Sequence, residues 1–509
     1  MAIDSKLNVY LKKDSNTYIK VISESKIVYD KIYDYFSFKM DARFLKSNKY
    51  APSSFFNTYT RLFNKKTNKI YIGLLNQIVS FCQKNDFDIH IDPDLITSFH
   101  DDAFDEKYVE NWISTLNLSS NGEKIFTRDF QNTLIKKVIE NKRLVGLSAT
   151  SSGKSLVIYV LLRWFIEQSR ILNDDENKKI LIIVPSVVLV NQLYNDFLDY
   201  SKLNKFDVEK YVTKIYAGKD RNTNHRIKIS TWQSLQELPD EYFEDFSVVI
   251  CDEVHKAKAK VLTDIIRKCY NTEYRVGLTG SLDNNPINKI IITGLFGQVH
   301  KIINAKDLID MGVAAKPEIT INILEHIEKM PSNDLNYNDE VSYFRNSESR
   351  SDYIVDLLKT MNGNTMILAV NVGEMILPLS EKISEMLPDK NVMTIYGGTN
   401  VESRIDIRDR LEDTDNNILV CSYETVGTGF SVKNIQNMIF AQSYKSIIKI
   451  VQAIGRGIRI KSGKTKVFIH DIIDVFSEKM NTYSYAHGVE RMRIYRSEGH
   501  DFKINKVKI

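Results

Sequence analysis

Cysteine is scarce in this chain, long apolar runs are missing, and no sign of charge dominates. The four cysteines, Cys82, Cys251, Cys269 and Cys421, form no C-x-x-C pair and have no histidine beside them at ligand spacing. That argues against a disulfide scaffold and a structural zinc site, and fits small buried hydrophobes in a reducing compartment. No run approaches the roughly 18 apolar residues of a membrane span. The opening "MAIDSKLNVYLKKD" has no apolar core or cleavage site of the secretory kind, so the expected location is the cytoplasm. A formal net charge of +4 over 509 residues is too small to argue a polyanion partner from the total; local clusters must carry that case. There is no repeat of fixed period and no low-complexity tract.

With 43% hydrophobic and 26% charged residues, the composition is that of an ordinary globular protein with ample core-forming material. The length suggests about three or four compact domains. From about residue 125 to 310, apolar runs alternate with helical stretches, which predicts a parallel sheet with crossover helices. "RLVGLSA" (143–149), "KILIIVP" (179–185), "FSVVICDE" (246–253) and "YRVGLTGS" (274–281) are strands; "KSLVIYVLLRWFIEQS" (154–169) and "SVVLVNQLYNDFLDYS" (186–201) are helices. After a polar stretch at 328–340 the pattern restarts, with candidate strands at 364–372, 390–397, 416–423, 437–442 and 465–472. An N-terminal region of short strand-like runs precedes both, with one good helix candidate at 72–85. The expected architecture is α/β: residues 1–105 form a small α+β domain, 106–312 a first parallel-sheet domain and 313–509 a second with a short basic tail. That tail, "SEGHDFKINKVKI", reads as a frayed or packed terminal strand.

"LSATSSGKS" (147–155) is nearly a phosphate-binding loop, with Ser148 where the first glycine of G-x-x-x-x-G-K-[ST] would stand. If it cradles phosphate, Lys154 counters phosphate charge and the hydroxyl of Ser155 ligates Mg²⁺. The backbone N–H groups of the turn (Thr150, Ser151, Ser152, Gly153) then hold phosphate oxygens. Such a site needs a carboxylate at the end of another strand. "VVICDEVH" (248–255) supplies Asp252 for Mg²⁺ and Glu253 to align an attacking water. An acidic pair after a strand is common surface punctuation; about 100 residues after Gly-Lys-Ser, the two halves support each other. "QAIGRGIR" (452–459) offers Arg456 and Arg459 three apart on one helical face, as cations for the developing phosphoryl charge or as a solvated basic face.

In order along the chain, "SATSSGKS", "DEVH", "TGS" (279–281), "TGFS" (428–431) and "QAIGRGIR" resemble motifs I, II, III, V and VI of the superfamily 2 helicases. "TRDFQ" (127–131) looks like the adenine-reading element before motif I, while "VPSVVLVNQ" (184–192) and "STWQS" (230–234) look like motifs Ia and Ib. The resemblance covers about 125–475 and is strongest to helicases of tailed phages. It implies two tandem RecA-like domains forming an ATP- and Mg²⁺-dependent motor, with host-cell cytoplasm as its location if phage-encoded. It also implies roles: Gln131 and Arg128 at the adenine, Gly429 at the nucleotide, Gln452, Arg456 and Arg459 in turnover, and His255, Thr279 and Ser281 in coupling. Thr231, Gln233 and Thr428 would face nucleic acid.

Segment 39–70 carries Lys39, Arg43, Lys46, Lys49, Arg61, Lys65, Lys66 and Lys69 against Asp41 alone, interleaved with Phe44, Tyr50, Phe55, Phe56, Tyr59 and Phe63. Basic groups hold phosphates and exposed aromatics stack on bases; alternatively the rings are core and the lysines solvated. The expectation is a monomeric 3′-to-5′ DNA helicase for forks, D-loops, R-loops and Holliday junctions, acting in DNA recombination, repair and replication. Its partners would be branched DNA or single-strand/duplex junctions, with RNA–DNA hybrids as a further class and no membrane. A double-stranded DNA translocase of XPB or restriction type is the alternative enzyme; an ATP-gated clamp or strand-annealing module is the alternative from another class. The RNA-remodelling "DEAD" signature is absent.

Overall fold

The computed structural model describes residues 7–39, 59–169, 172, 175, 177–216, 223–256, 260–282, 285–328, 335–423, 425, 430, 432–442, 453–455, 458 and 464–509. Its contacts group into two compact units: Met1–Ser148 with Gly153–Ile302, and Ala149–Ser152 with Ile303–Ile509.

The first unit begins with a five-stranded sheet ordered Phe63–Asn64, Lys69–Tyr71, Tyr18–Ile22, Asn8–Lys13, Asp88–Ile91. Its strands alternate buried and exposed, as in Asn8–Lys13, where Val9 and Leu11 point inward. A sheet with one wet face has this pattern. The helix expected at 72–85 is present as a 3₁₀ turn, Ile72–Leu74, continuing into Leu75–Lys84. A second helix, Lys26–Tyr35, was not foreseen; only Val28 and Ile32 of it are buried, too thin an apolar stripe to stand out in sequence.

The motor sheet of this unit has seven strands, in the order Val212–Ile215, Ile227–Thr231, Lys179–Val184, Phe246–Asp252, Tyr274–Thr279, Arg143–Ser148, Gln298–Ile303. The first six pair in parallel. Helices cover both faces, so the strands are buried almost end to end, and residues 180–184 and 248–251 within them read as unbroken apolar runs. Helix Lys154–Glu167 is buried on nearly all sides, from Leu156 to Ile166.

The five-stranded sheet packs tightly on this one. Gly73 lies so close to helix Pro286–Phe296 that a Cβ there would sit 2.1 Å from the Thr293 carbonyl oxygen. Fully buried Arg275 reaches across to the Thr17 hydroxyl at 2.7 Å and the Cys269 carbonyl at 2.6 Å, and burial pushes its pKa down to about 10. Arg267 Nε donates to the Tyr18 hydroxyl at 2.8 Å.

The second unit is built on another seven-stranded sheet, all parallel: Asn391–Ile395, Asn417–Ser422, Thr365–Ala369, Asn437–Phe440, Lys466–Phe476, Lys316–His326, Phe502–Lys508. All five expected strands are there. The tail forms the edge strand, and Lys316–His326 is an unforeseen strand beside it. The two seven-stranded parallel sheets are tandem RecA-like domains preceded by a small α+β region. All four cysteines are free and buried, and burial raises the thiols of Cys82 to about 11 and Cys269 to about 12. Among the described residues, no helix is long and apolar enough to cross a membrane.

Gly73→Ala should destabilise the first unit by about 1–3 kcal/mol, because a methyl is forced into a backbone carbonyl that cannot retreat freely. Thermal denaturation of the variant against the parent checks this; an unchanged midpoint would show that the seam is loose.

Candidate nucleotide site

Three neighbouring parallel strands end level with one another. Asp252 stands opposite Leu278, and Thr279 opposite Leu147. The loop after Ser148, the acidic pair and the Thr279 turn therefore lie along one edge of the sheet, where ligands of open α/β sheets bind.

The loop turns through two left-handed residues, Ser151 at φ +70° and Gly153 at φ +80°. Gly153 caps helix Lys154–Glu167, so the first backbone N–H groups of a 14-residue helix open toward the loop. Gly153 has a second reason to be glycine: a Cβ there would lie 2.4 Å from Nε2 of Gln131. Gln131 is buried, and its Oε1 accepts from the backbone N–H of Arg128, the residue capping helix Asp129–Asn141, at 2.9 Å. The amide expected to read adenine is thus fixed against the loop. Lys154 Nζ donates to the Ser148 carbonyl at 3.3 Å, across the turn it closes. Ser148 and Ser152 are buried, so the serine replacing the first glycine fits without displacing the strand end. Ser155 Oγ lies 2.9 Å from the hydroxyl of Tyr200, a residue that sequence spacing did not single out.

The acidic pair follows directly. Asp252 ends its strand and its Oδ1 accepts from the backbone N–H of Glu253 at 3.0 Å. Glu253 has φ +52°, strained for a residue with a side chain. Its Oε2 is 3.2 Å from Nδ1 of His255, which is itself 2.8 Å from the Thr279 hydroxyl. The Thr279 hydroxyl also meets the backbone of Ser281, at 2.8 Å to its carbonyl oxygen. A chain of contacts, buried at His255 and Thr279 and half-buried at its two ends, therefore joins Glu253 through His255 to Thr279 and Ser281. No group of three or more His, Cys, Asp or Glu side chains that could hold a metal ion occurs among the described residues.

The residues expected at nucleic acid are differently placed. Thr231 is buried with its hydroxyl 3.0 Å from that of Ser234, whereas Gln233 is exposed. Arg61 lies over the rings of Tyr33 and Tyr59, at 5.3 and 6.0 Å. Lys65 lies over Tyr33 at 4.7 Å and pairs with Asp30; Lys69 pairs with Asp14. Lys66 is exposed and Phe63 is core. Thr428, Gly429, Gln452, Arg456 and Arg459 lie outside the described residues, as does 40–58 of the basic segment.

Comparison with known proteins agrees with this geometry. Residues 124–284 match the family described as "Type III restriction enzyme, res subunit", and 349–461 match "Helicase conserved C-terminal domain". The chain is an ATP-dependent helicase of superfamily 2, and so an ATP hydrolase. Within that class it resembles UvsW. It is 27% identical over 459 residues to "ATP-dependent DNA helicase uvsW" of Enterobacteria phage T4, covering 86% of this chain and 88% of that one. The crystal structure of T4 UvsW matches with a TM-score of 0.51 at 24% identity, covering 98% of this chain and 99% of that one. Dbp5 of S. cerevisiae, in complex with RNA and ADP BeF3, shares the fold at 11% identity, with a TM-score of 0.52 over 75% of this chain and 90% of its own.

Gly153→Ala should displace Gln131 and add backbone strain of about 1 kcal/mol or more. A lowered thermal midpoint together with weakened adenine-nucleotide binding checks it; unchanged binding would mean that Gln131 does not need its present place.

Proposed function

We propose that the chain is a 3′-to-5′ DNA helicase that unwinds and branch-migrates recombination and replication intermediates: forks, D-loops, R-loops and Holliday junctions. The observation that carries this reading is the chain of contacts from Glu253 through buried His255 and Thr279 to Ser281. A catalytic carboxylate tied to the turn of the neighbouring strand can report nucleotide state away from the phosphates, as a motor requires and a simple hydrolase does not. The similarity to a relative named as a DNA helicase supports DNA as the substrate.

In this reading, Lys154 neutralises phosphate charge and the backbone N–H groups of Thr150, Ser151, Ser152 and Gly153 hold phosphate oxygens. Arg128 and Gln131 read the adenine. The hydroxyl of Ser155 and the carboxylate of Asp252 are hard oxygen donors that would hold Mg²⁺. When bound, the ion would neutralise charge on the phosphate oxygens. Glu253 aligns the attacking water. Gly429, Gln452, Arg456 and Arg459 complete the nucleotide site, and Gln233, Thr231 and Thr428 the nucleic-acid path. Residues 1–105 serve as a DNA-gripping accessory domain, with 106–312 and 313–509 as the two motor domains of a monomer working in the cytoplasm.

Lys154→Ala should abolish hydrolysis, and Glu253→Gln should leave ATP bound but uncleaved. ATP turnover is measured alone and with single-stranded DNA, blunt duplex, a four-way junction, an R-loop and single-stranded RNA. Greatest stimulation by branched DNA is the expected result. Stimulation by blunt duplex alone would make the chain a double-stranded DNA translocase, and tight ATP-dependent DNA binding without stimulation would make it a clamp.

Neutralising Arg61, Lys65, Lys66 and Lys69 together should weaken DNA binding and flatten its salt dependence. The slope of log affinity against log salt should fall by up to about one unit per lost phosphate contact. Since Lys65 and Lys69 have acidic partners, Arg61 and Lys66 should account for most of the change. An unaltered slope would remove this face from the DNA path.

A further inference from the structure

The hydroxyl of Ser155 is held from outside the phosphate loop. Ser155 is the second residue of helix Lys154–Glu167, and Tyr200 is the penultimate residue of helix Val187–Ser201. Their hydroxyl oxygens are 2.9 Å apart. Tyr200 is itself fixed: its ring packs against Tyr159 with centroids 5.6 Å apart, and its carbonyl accepts from Asn204 Nδ2 at 3.0 Å. Asn204 is pinned in turn, donating to the Asn117 carbonyl at 3.0 Å and accepting from Arg163 Nη1 at 3.2 Å and the Tyr159 hydroxyl at 3.3 Å.

A serine hydroxyl has one proton and two lone pairs. To ligate a cation it must turn a lone pair to the ion and give its proton to another acceptor. From the 2.9 Å contact and its buttressing, we infer that Tyr200 is a positioning residue for Mg²⁺, its phenol oxygen taking the proton of Ser155 and fixing the rotamer that offers the lone pair. Groups that orient a metal ligand in this way commonly govern metal affinity as strongly as some ligands do. The inference rests on the reading of Ser155 as a Mg²⁺ ligand, and it concerns a residue with no place in the loop motif. Tyr200 touches neither phosphate nor metal in this role; it acts through Ser155.

The test measures binding of a fluorescent ADP analogue as a function of Mg²⁺ concentration for the parent, Tyr200→Phe, Ser155→Ala and the double variant, with thermal midpoints alongside. Tyr200→Phe keeps the ring and its packing and removes only the hydroxyl. It should raise the Mg²⁺ concentration at half-saturation by about tenfold, while leaving metal-free nucleotide binding and the thermal midpoint unchanged. Ser155→Ala should raise it at least as much, and the double variant no further, because both act through one hydroxyl. The proposal is overturned if Tyr200→Phe follows the parent curve while Ser155→Ala does not, or if the two effects multiply. It is equally overturned if Tyr200→Phe weakens metal-free binding and lowers the midpoint, since packing is then its role. If Ser155→Ala leaves the Mg²⁺ demand unchanged, the assignment of Ser155 to the metal fails first and Tyr200 goes with it.

Discussion

The level ending of three parallel strands is the constraint on which the rest of the site depends. Arg143–Ser148, Tyr274–Thr279 and Phe246–Asp252 are neighbours in one sheet, and their register leaves Thr279 opposite Leu147 and Leu278 opposite Asp252. Slippage of one strand by a single residue would turn its side chains to the opposite face. His255 would then lose the Thr279 hydroxyl, and Asp252 would leave the loop's neighbourhood. Burial on both faces guards against this, because the same slippage would push core side chains such as Val276 and Ile250 out of their layers.

The polar contacts at this edge are few and mostly buried, which makes each one consequential. His255 is 3% exposed and Thr279 is fully buried; in such surroundings a polar group without its partner costs far more than a surface contact returns. The strained backbone at Glu253 belongs to the same economy, since a left-handed residue persists only where its surroundings over-determine it. The firm packing of the N-terminal sheet on the motor sheet, through Gly73, Arg275 and Arg267, keeps a large body attached to the strands that carry the site.

Much of this was legible in the sequence, for identifiable reasons. Strands buried on both faces announce themselves as apolar runs, and residues 180–184 and 248–251 did so. Lys316–His326 did not, because Pro317, Glu318 and Asn322 interrupt it, and neither its place beside an edge nor the exposure of Phe502–Lys508 demands an apolar pattern. The order of the loop and the acidic pair was readable because backbone geometry ties those residue types to strand ends. Contacts between side chains distant in sequence leave no such trace. The meeting of Ser155 with Tyr200 has no spacing rule, and the acids facing Lys65 and Lys69 come from Asp30 and Asp14, outside the window in which the basic segment looked almost unopposed. The meeting of the Thr231 hydroxyl with that of Ser234 inside the protein is another contact that the sequence does not announce.

The edge strand Phe502–Lys508 bears on the timing of synthesis. It pairs with Lys316–His326, matching Ile319 to Phe502 and Glu325 to Lys508. The inner strand's other neighbour, Lys466–Phe476, is also late in the chain. During translation Lys316–His326 therefore leaves the ribosome long before either partner exists, as an extended segment with two unpaired sides. Pairing over so long a loop is slow, and exposed strand edges invite association with other chains. The lysines at 503, 506 and 508 come too late in the chain to shield that edge during synthesis.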